Sequence, residues 1–220
     1  MVIKLKDVEK NELVKKYLKQ ADENFLAIGY KEHGIRHGRL VSNISYNVLK
    51  FLKYPLRDRE LAAIAGFLHD IGNCTGIRGH EQAGALLSVR ILKDMGMNLD
   101  EVAIIAGAIG THEERLYPPS NPITASVILG DKTDVHHTRV RKKNPSLFDV
   151  HDRVNFACQK AFLKVSQEKK NISLELTINT KISTVMEYFE IFLSRTMVCQ
   201  KASRYLGYNF ILYINGERFL

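Results

Sequence analysis

The spacing of apolar positions changes once along the chain, near Ser146. Up to about residue 139 they recur every three or four residues, the period of helices that bury one face. Val14, Tyr17, Leu18, Ala21, Phe25 and Ile28 share one face of a first helix, predicted from Asp7 to about Ile28 with Gly29 as its stop. Val41, Ile44, Val48 and Leu52 mark a second, from about His37 to Leu52. Pro55 breaks the chain, and Asp58 offers a cap for a third helix carrying Leu61, Ile64, Ala65 and Leu68. A polar, glycine-containing loop from Gly72 to Gly79 leads into a helix from His80 to about Met95, with Ala83, Leu87 and Ile91 on one face. Asp100 is the expected cap of the next, which shows Val102, Ile105, Ala106 and Ile109. Beyond Pro118 and Pro119, a further helix bears Ile123, Val127, Ile128 and Val135, and Pro122 suits its first turn.

After Ser146 the period shortens. Ile172, Leu174, Leu176 and Ile178 alternate strictly with polar residues, which predicts a strand. The run Val154, Phe156, Cys158 predicts a partner strand, with a bulge further on. Ile182, Val185, Met186, Phe189, Leu193 and Met197 predict a long helix stopped by Gly207, and Tyr208 to Ile214 a closing strand before Asn215-Gly216. The expected fold is mainly α: a helical domain over residues 1–146, then a small α+β appendage of ββαβ order over residues 147–220. No repeat or low-complexity segment interrupts it.

Composition narrows the class. With 220 residues, 45% of them hydrophobic, the chain can bury a core without disulfides. Cys74, Cys158 and Cys199 form no CxxC pair, which excludes a disulfide framework and points to a reducing compartment. The charged start MVIKLKDVEK has no signal-peptide core, and no run approaches the roughly 18 apolar residues of a membrane span. A cytoplasmic protein without membrane contact is expected. The net charge of +8 favours anionic ligands. Its densest run, Arg139, Arg141, Lys142 and Lys143, is too short for a nucleic-acid-binding tail, so nucleic acid rests on charge alone and is not the favoured partner.

Ionisable residues on apolar helix faces change the picture more than composition does. His37 is in phase with Val41 and Ile44, His80 with Ala83, Leu87 and Ile91, and His112 with Ile105 and Ile109. Asp131 continues the Val127 face, and His69 and Asp70 end an apolar helix just past Leu68. A buried polar group without a partner costs on the order of 2–7 kcal/mol, and an isolated carboxylate far more. A pair of bound cations would neutralise the carboxylates and take up the imidazole nitrogens. Asp70 is the best candidate to bridge two metals, since each of its oxygens can serve one ion. The mixed nitrogen and oxygen set suits Fe, Mn or Zn better than Ca or Mg. His33 sits close before His37 and faces solvent or the cleft.

The ordered segments Arg36-His37-Gly38, Phe67-Leu68-His69-Asp70-Ile71-Gly72, Gly79-His80-Glu81-Gln82-Ala83-Gly84-Ala85, Thr111-His112-Glu113 and Leu129-Gly130-Asp131-Lys132 resemble the HD-domain phosphohydrolases over about residues 20–140. The resemblance implies a helical fold with a central metal site that hydrolyses phosphoester or phosphoanhydride bonds, with a nucleotide or related phosphorylated small molecule as substrate. On it, His37, His69, Asp70 and Asp131 match the basic metal-binding motif. His80 and His112 match the extra histidines of dinuclear members, which include dinucleoside tetraphosphate hydrolases and cyclic-dinucleotide phosphodiesterases. One or two transition-metal ions are therefore expected, with Asp70, Lys132 and Asp134 as catalytic candidates and Arg78, Lys132 and Arg139 as substrate-binding ones. For Lys132 and Asp134 a local ion pair is the alternative, for Arg78 a surface position, and for Arg139, with His136 and His137, a complement to the helix dipole. Asn73 stands where many relatives carry lysine, and the Gly-Tyr-Pro and His-His features of cyclic-di-GMP phosphodiesterases are absent. A degenerate domain serving as nucleotide sensor or scaffold, and a di-iron oxygenase of the wider superfamily, are the competing readings. The appendage is left open between shaping the cleft, forming a homodimer sheet and binding an effector.

Overall fold

The computed structural model describes residues 2–114 and 117–220. Helix α1 spans Leu5–Lys10 and α2 Glu12–Ala27, so the single first helix predicted from the periodicity is two. Asn11 causes the break: its backbone is extended and its side chain accepts hydrogen bonds from the amides of Leu13 and Val14, capping a new helix. Helices α3 (Ile35–Phe51) and α4 (Leu56–Leu68) follow. Pro55, not Asp58, precedes α4, and Asp58 lies inside its first turn, where a carboxylate favours the helix dipole. A short 3-10 turn, Ile71–Cys74, connects to α5 (His80–Asp94). Asn98 takes the capping role expected of Asp100 in α6 (Leu99–Gly110), and α7 (Pro122–Lys132) begins on its proline as predicted.

Helix α8 (Val150–Ala157) replaces the strand expected at Val154–Phe156–Cys158. Asp149 and Asp152 form a reciprocal capping box there, and a helix buries Val154 and Ala157 while leaving Phe156 exposed. A strand would instead have turned Phe156 to the side of its buried neighbours. The partner strand starts where that alternation ends: β1 (Cys158–Ser166) pairs antiparallel with β2 (Asn171–Ile178), with an irregularity at Cys158/Lys160. Helix α9 (Val185–Tyr205) then crosses to β3 (Asn209–Ile214), parallel to β2, and β4 (Glu217–Arg218) closes the order β1-β2-β3-β4. Parallel neighbours need such a crossover. The architecture is mainly α with a small C-terminal sheet.

One apolar core runs from the helices into the sheet, taking in Leu18, Leu68 and Ile109 as well as Ile172, Phe192 and Leu212. Helix α9 packs on α7, which carries Asp131. Two residues of the basic run after α7 pair with acidic groups: Arg141 with Asp22 of α2, and Lys142 with Asp152 at 2.5 Å. Among the described residues no helix is long and apolar enough to cross a membrane.

Candidate metal centre

The six side chains on the apolar faces converge. His37 comes from the first turn of α3, His69 and Asp70 follow the last turn of α4, and His80 opens α5. His112 follows α6, and Asp131 lies at the end of α7. His37, His69 and His112 are fully buried and Asp70 is 5% exposed, while His80 and Asp131 reach the rim.

Each imidazole is fixed through Nδ1. His69, His80 and His112 donate to the carbonyls of Gly66, Ile77 and Ile109 at 2.8, 2.9 and 2.6 Å. In each case the acceptor is three residues back, and for His69 and His112 it is a carbonyl freed at a helix end. His37 donates to Asp134 Oδ2 at 2.7 Å. Since a carbonyl can only accept, the proton must sit on Nδ1 in the neutral ring, leaving the Nε2 lone pair available.

Those Nε2 atoms face the carboxylates in two sets. In the first, His37 Nε2 is 3.6 Å from Asp70 Oδ2 and 3.3 Å from Asp131 Oδ1, and His69 Nε2 is 3.4 and 3.7 Å from the same two oxygens. In the second, His80 Nε2 is 3.4 Å from Asp70 Oδ1 and 3.3 Å from His112 Nε2. Ligand atoms bound tetrahedrally at about 2.1 Å lie roughly 3.4 Å apart, so both sets have the spacing of one ion each. Asp70 serves both, one oxygen to each. His37 Nε2, His69 Nε2 and Asp70 Oδ2 are buried with no hydrogen-bond partner, which is the state of ligand atoms and a costly one for ordinary core groups. The residues could therefore hold metal, in three overlapping groups: His37–His69–Asp70, His69–His112–Asp131 and Asp70–His80–His112.

The electrostatics agree. Burial opposes ionisation of Asp70 and Asp131, yet His69 beside Asp70, and Lys132 with His37 and His69 beside Asp131, hold both carboxyls well below the usual range. Burial would likewise strip a proton from His69, but the two carboxylates raise it to about 10, so the pocket draws positive charge. Burial and the nearby charges of His69 and Lys132 push His112 down to about 4, so it is neutral and able to ligate near pH 7.

The remaining candidates divide by position. Lys132 lines the cleft, its ammonium bonded to Glu113 and, at 2.5 Å, to Asp131. Arg139 is 1% exposed and also reaches the cleft, but its donors go to the carbonyls of Asp134 and Glu32. Asp134 lies behind His37 and accepts from it as well as from Arg36 at 3.1 Å. Despite burial, Arg139 and His37 keep it ionised. It positions a ligand, and Asp134→Asn should weaken metal binding by about 10–100-fold, read by competition with a chelating dye. An unchanged dissociation constant would show that His37 is held without it. Arg78 is exposed and away from the cleft lining. Asn73 donates to Asp70 Oδ1 at 2.8 Å, orienting the shared carboxylate. His33 lines the cleft, stacked on Phe25 at 4.4 Å between centroids. Sequence reasoning did not find Arg195 of α9 in the same lining; it sits in a helix whose sequence shows only core periodicity.

Residues 32–139 match the HD domain family. An uncharacterized protein of Methanocaldococcus jannaschii is 26% identical over 200 residues, spanning 78% of this chain and 74% of its own length. A crystal structure of a predicted HD superfamily hydrolase from an uncultured Thermotogales bacterium aligns at 20% identity with a TM-score of 0.45, covering 93% of this chain and 94% of its own.

Proposed function

Because this chain belongs to the HD-domain superfamily through residues 32–139, we propose that it is a metal-dependent phosphohydrolase cleaving a phosphoester or phosphoanhydride of a nucleotide or related small molecule. The observation that carries the reading is the shared carboxylate: two ligand sets, each at single-ion spacing, meet on the two oxygens of Asp70 beside an open cleft. Iron, manganese or zinc held there would supply Lewis acidity and bring the pKa of water down towards about 7.

The chain's own groups do the rest. The Nδ1 hydrogen bonds keep each imidazole in the tautomer that presents Nε2. Lys132 has three donors and bonds two carboxylates, so one donor is left to meet a phosphoryl oxygen at the cleft floor. Arg139 contributes charge, with three of its five N–H groups given to the carbonyls of Asp134 and Glu32. A neighbouring groove of about 450 Å³, lined by Phe25, Ile28 and Ile77, shares Phe25, Asn73 and Ile77 with the cleft and suits the organic part of a small substrate.

The test joins elemental analysis of the purified chain to a phosphate-release screen over nucleotides and simple phosphoesters with Mn, Fe and Zn supplied in turn. The expected result is about two metal ions per chain and release from at least one class. A fully loaded protein that releases phosphate from none of them would favour the sensor reading. Oxygen consumption with an organic substrate, and no phosphate release, would favour the di-iron oxygenase.

A further inference from the structure

Among the described residues the cleft is lined by two arginines, Arg139 and Arg195, that are not candidate metal ligands. Arg195 on α9 lines it together with Asp70, His80, Asp131 and Lys132. Lys132 and Arg139 in the same lining are each bonded to protein acceptors, whereas Arg195 has no hydrogen bond or ion pair among the described residues. Its guanidinium lies 5.0 Å from the Phe192 ring centroid, a cation–π contact that uses none of its hydrogen-bond donors.

Lys31, just outside the residues that line the cleft, approaches the same Phe192 ring. The residue is 4% exposed, its Nζ has no hydrogen-bond partner, and it lies 5.6 Å from the centroid of the same Phe192 ring and 5.9 Å from that of Tyr30, a cleft residue. Burial, with the repulsion of Arg139 and Arg195, pushes its ammonium well below the usual lysine range. The acidic groups it senses, Asp131 and Asp134, are engaged by Lys132, His37 and Arg36. A buried ammonium without an acceptor is costly, and so is a like charge beside it. An anion entering the cleft would relieve both at once. The planar fork of Arg195 matches phosphate oxygens, and Lys31 adds a point charge.

We propose that Arg195 and Lys31 form a subsite for a second phosphate group of the substrate, adjacent to the phosphoryl group at the metal centre. The substrate then carries at least two phosphates, as a nucleoside diphosphate or longer phosphoanhydride does. This inference rests on the phosphohydrolase reading for the word substrate, but the subsite itself is testable by binding alone.

The experiment is titration calorimetry of the metal-loaded chain with inorganic orthophosphate and inorganic pyrophosphate, with metal content measured on the recovered protein. The intact chain should bind pyrophosphate the more tightly. Arg195→Gln should weaken pyrophosphate by about tenfold or more, the scale of a charge-assisted hydrogen bond, and orthophosphate by less than about threefold, with metal content unchanged. Lys31→Met, which keeps an unbranched chain between the two rings, should lower pyrophosphate affinity in the same selective way. Equal losses for both anions, or none in either variant, would overturn the subsite. A chain that binds pyrophosphate selectively yet hydrolyses nothing would refute the phosphohydrolase reading and leave the subsite standing.

Discussion

Asp70→Ala should lower phosphate release by at least about a thousandfold and leave the chain with little bound metal. The size of the effect follows from the geometry. Oδ2 is 3.6 and 3.4 Å from the Nε2 atoms of His37 and His69, and Oδ1 is 3.4 Å from His80 Nε2. Removing the carboxylate takes a ligand from both sets and an anion from between them, whereas loss of any one histidine damages a single set. What remains of the second set is two neutral imidazoles, a weak site for a divalent ion. Turnover in excess metal, elemental analysis and far-ultraviolet circular dichroism read the result together. Helicity should survive, because the side chain follows α4 and packs none of the apolar core. Turnover within about tenfold of the unaltered chain would remove Asp70 from the centre of the mechanism.

Gly72→Ala should be the most damaging change outside the ligand set. A Cβ at residue 72 would lie 2.0 Å from the His80 carbonyl oxygen and 2.4 Å from the Gly84 amide nitrogen. Both are backbone atoms, so no rotamer change relieves the contact and α5 itself must move. Overpacking of flexible side chains costs about 1–3 kcal/mol, and a clash with rigid backbone belongs at or above that limit. The expected destabilisation is about 3 kcal/mol or more, measured as a shift of the denaturant midpoint. The His80–His112 set should fail before the other, because α5 carries His80. A loss below about 1 kcal/mol, with both ions retained, would show that α5 can shift without cost.

The helical part was legible because its period and its chemistry coincide. His37, His80, His112 and Asp131 fall in phase with the apolar stripes, so a reader of the sequence can place them inward, and the ordered motifs single them out from ordinary core histidines. Element boundaries were less legible. Asn11, Asn98 and the Asp149–Asp152 box decide where helices start through short-range hydrogen bonds that compete with apolar periodicity. At Val154–Phe156–Cys158 the two signals conflict outright, and the capping box prevails. The wall made by α9 was not legible at all. Which residues of a long amphipathic helix meet a distant cleft depends on how the crossover packs on α7, and Arg195 has no local signature.

The crossover also sets an order of assembly. All six ligand candidates lie between His37 and Asp131, in one uninterrupted stretch, whereas Arg195 belongs to a helix reached only after β1 and β2. β2 in turn lacks its parallel neighbour until β3 has been made. Domains form from the amino-terminal side as synthesis proceeds, at about 5–20 residues per second. The six ligand candidates are thus synthesised seconds before the helix that carries Arg195. The wall that carries Arg195 is the last part of the cleft to be laid down.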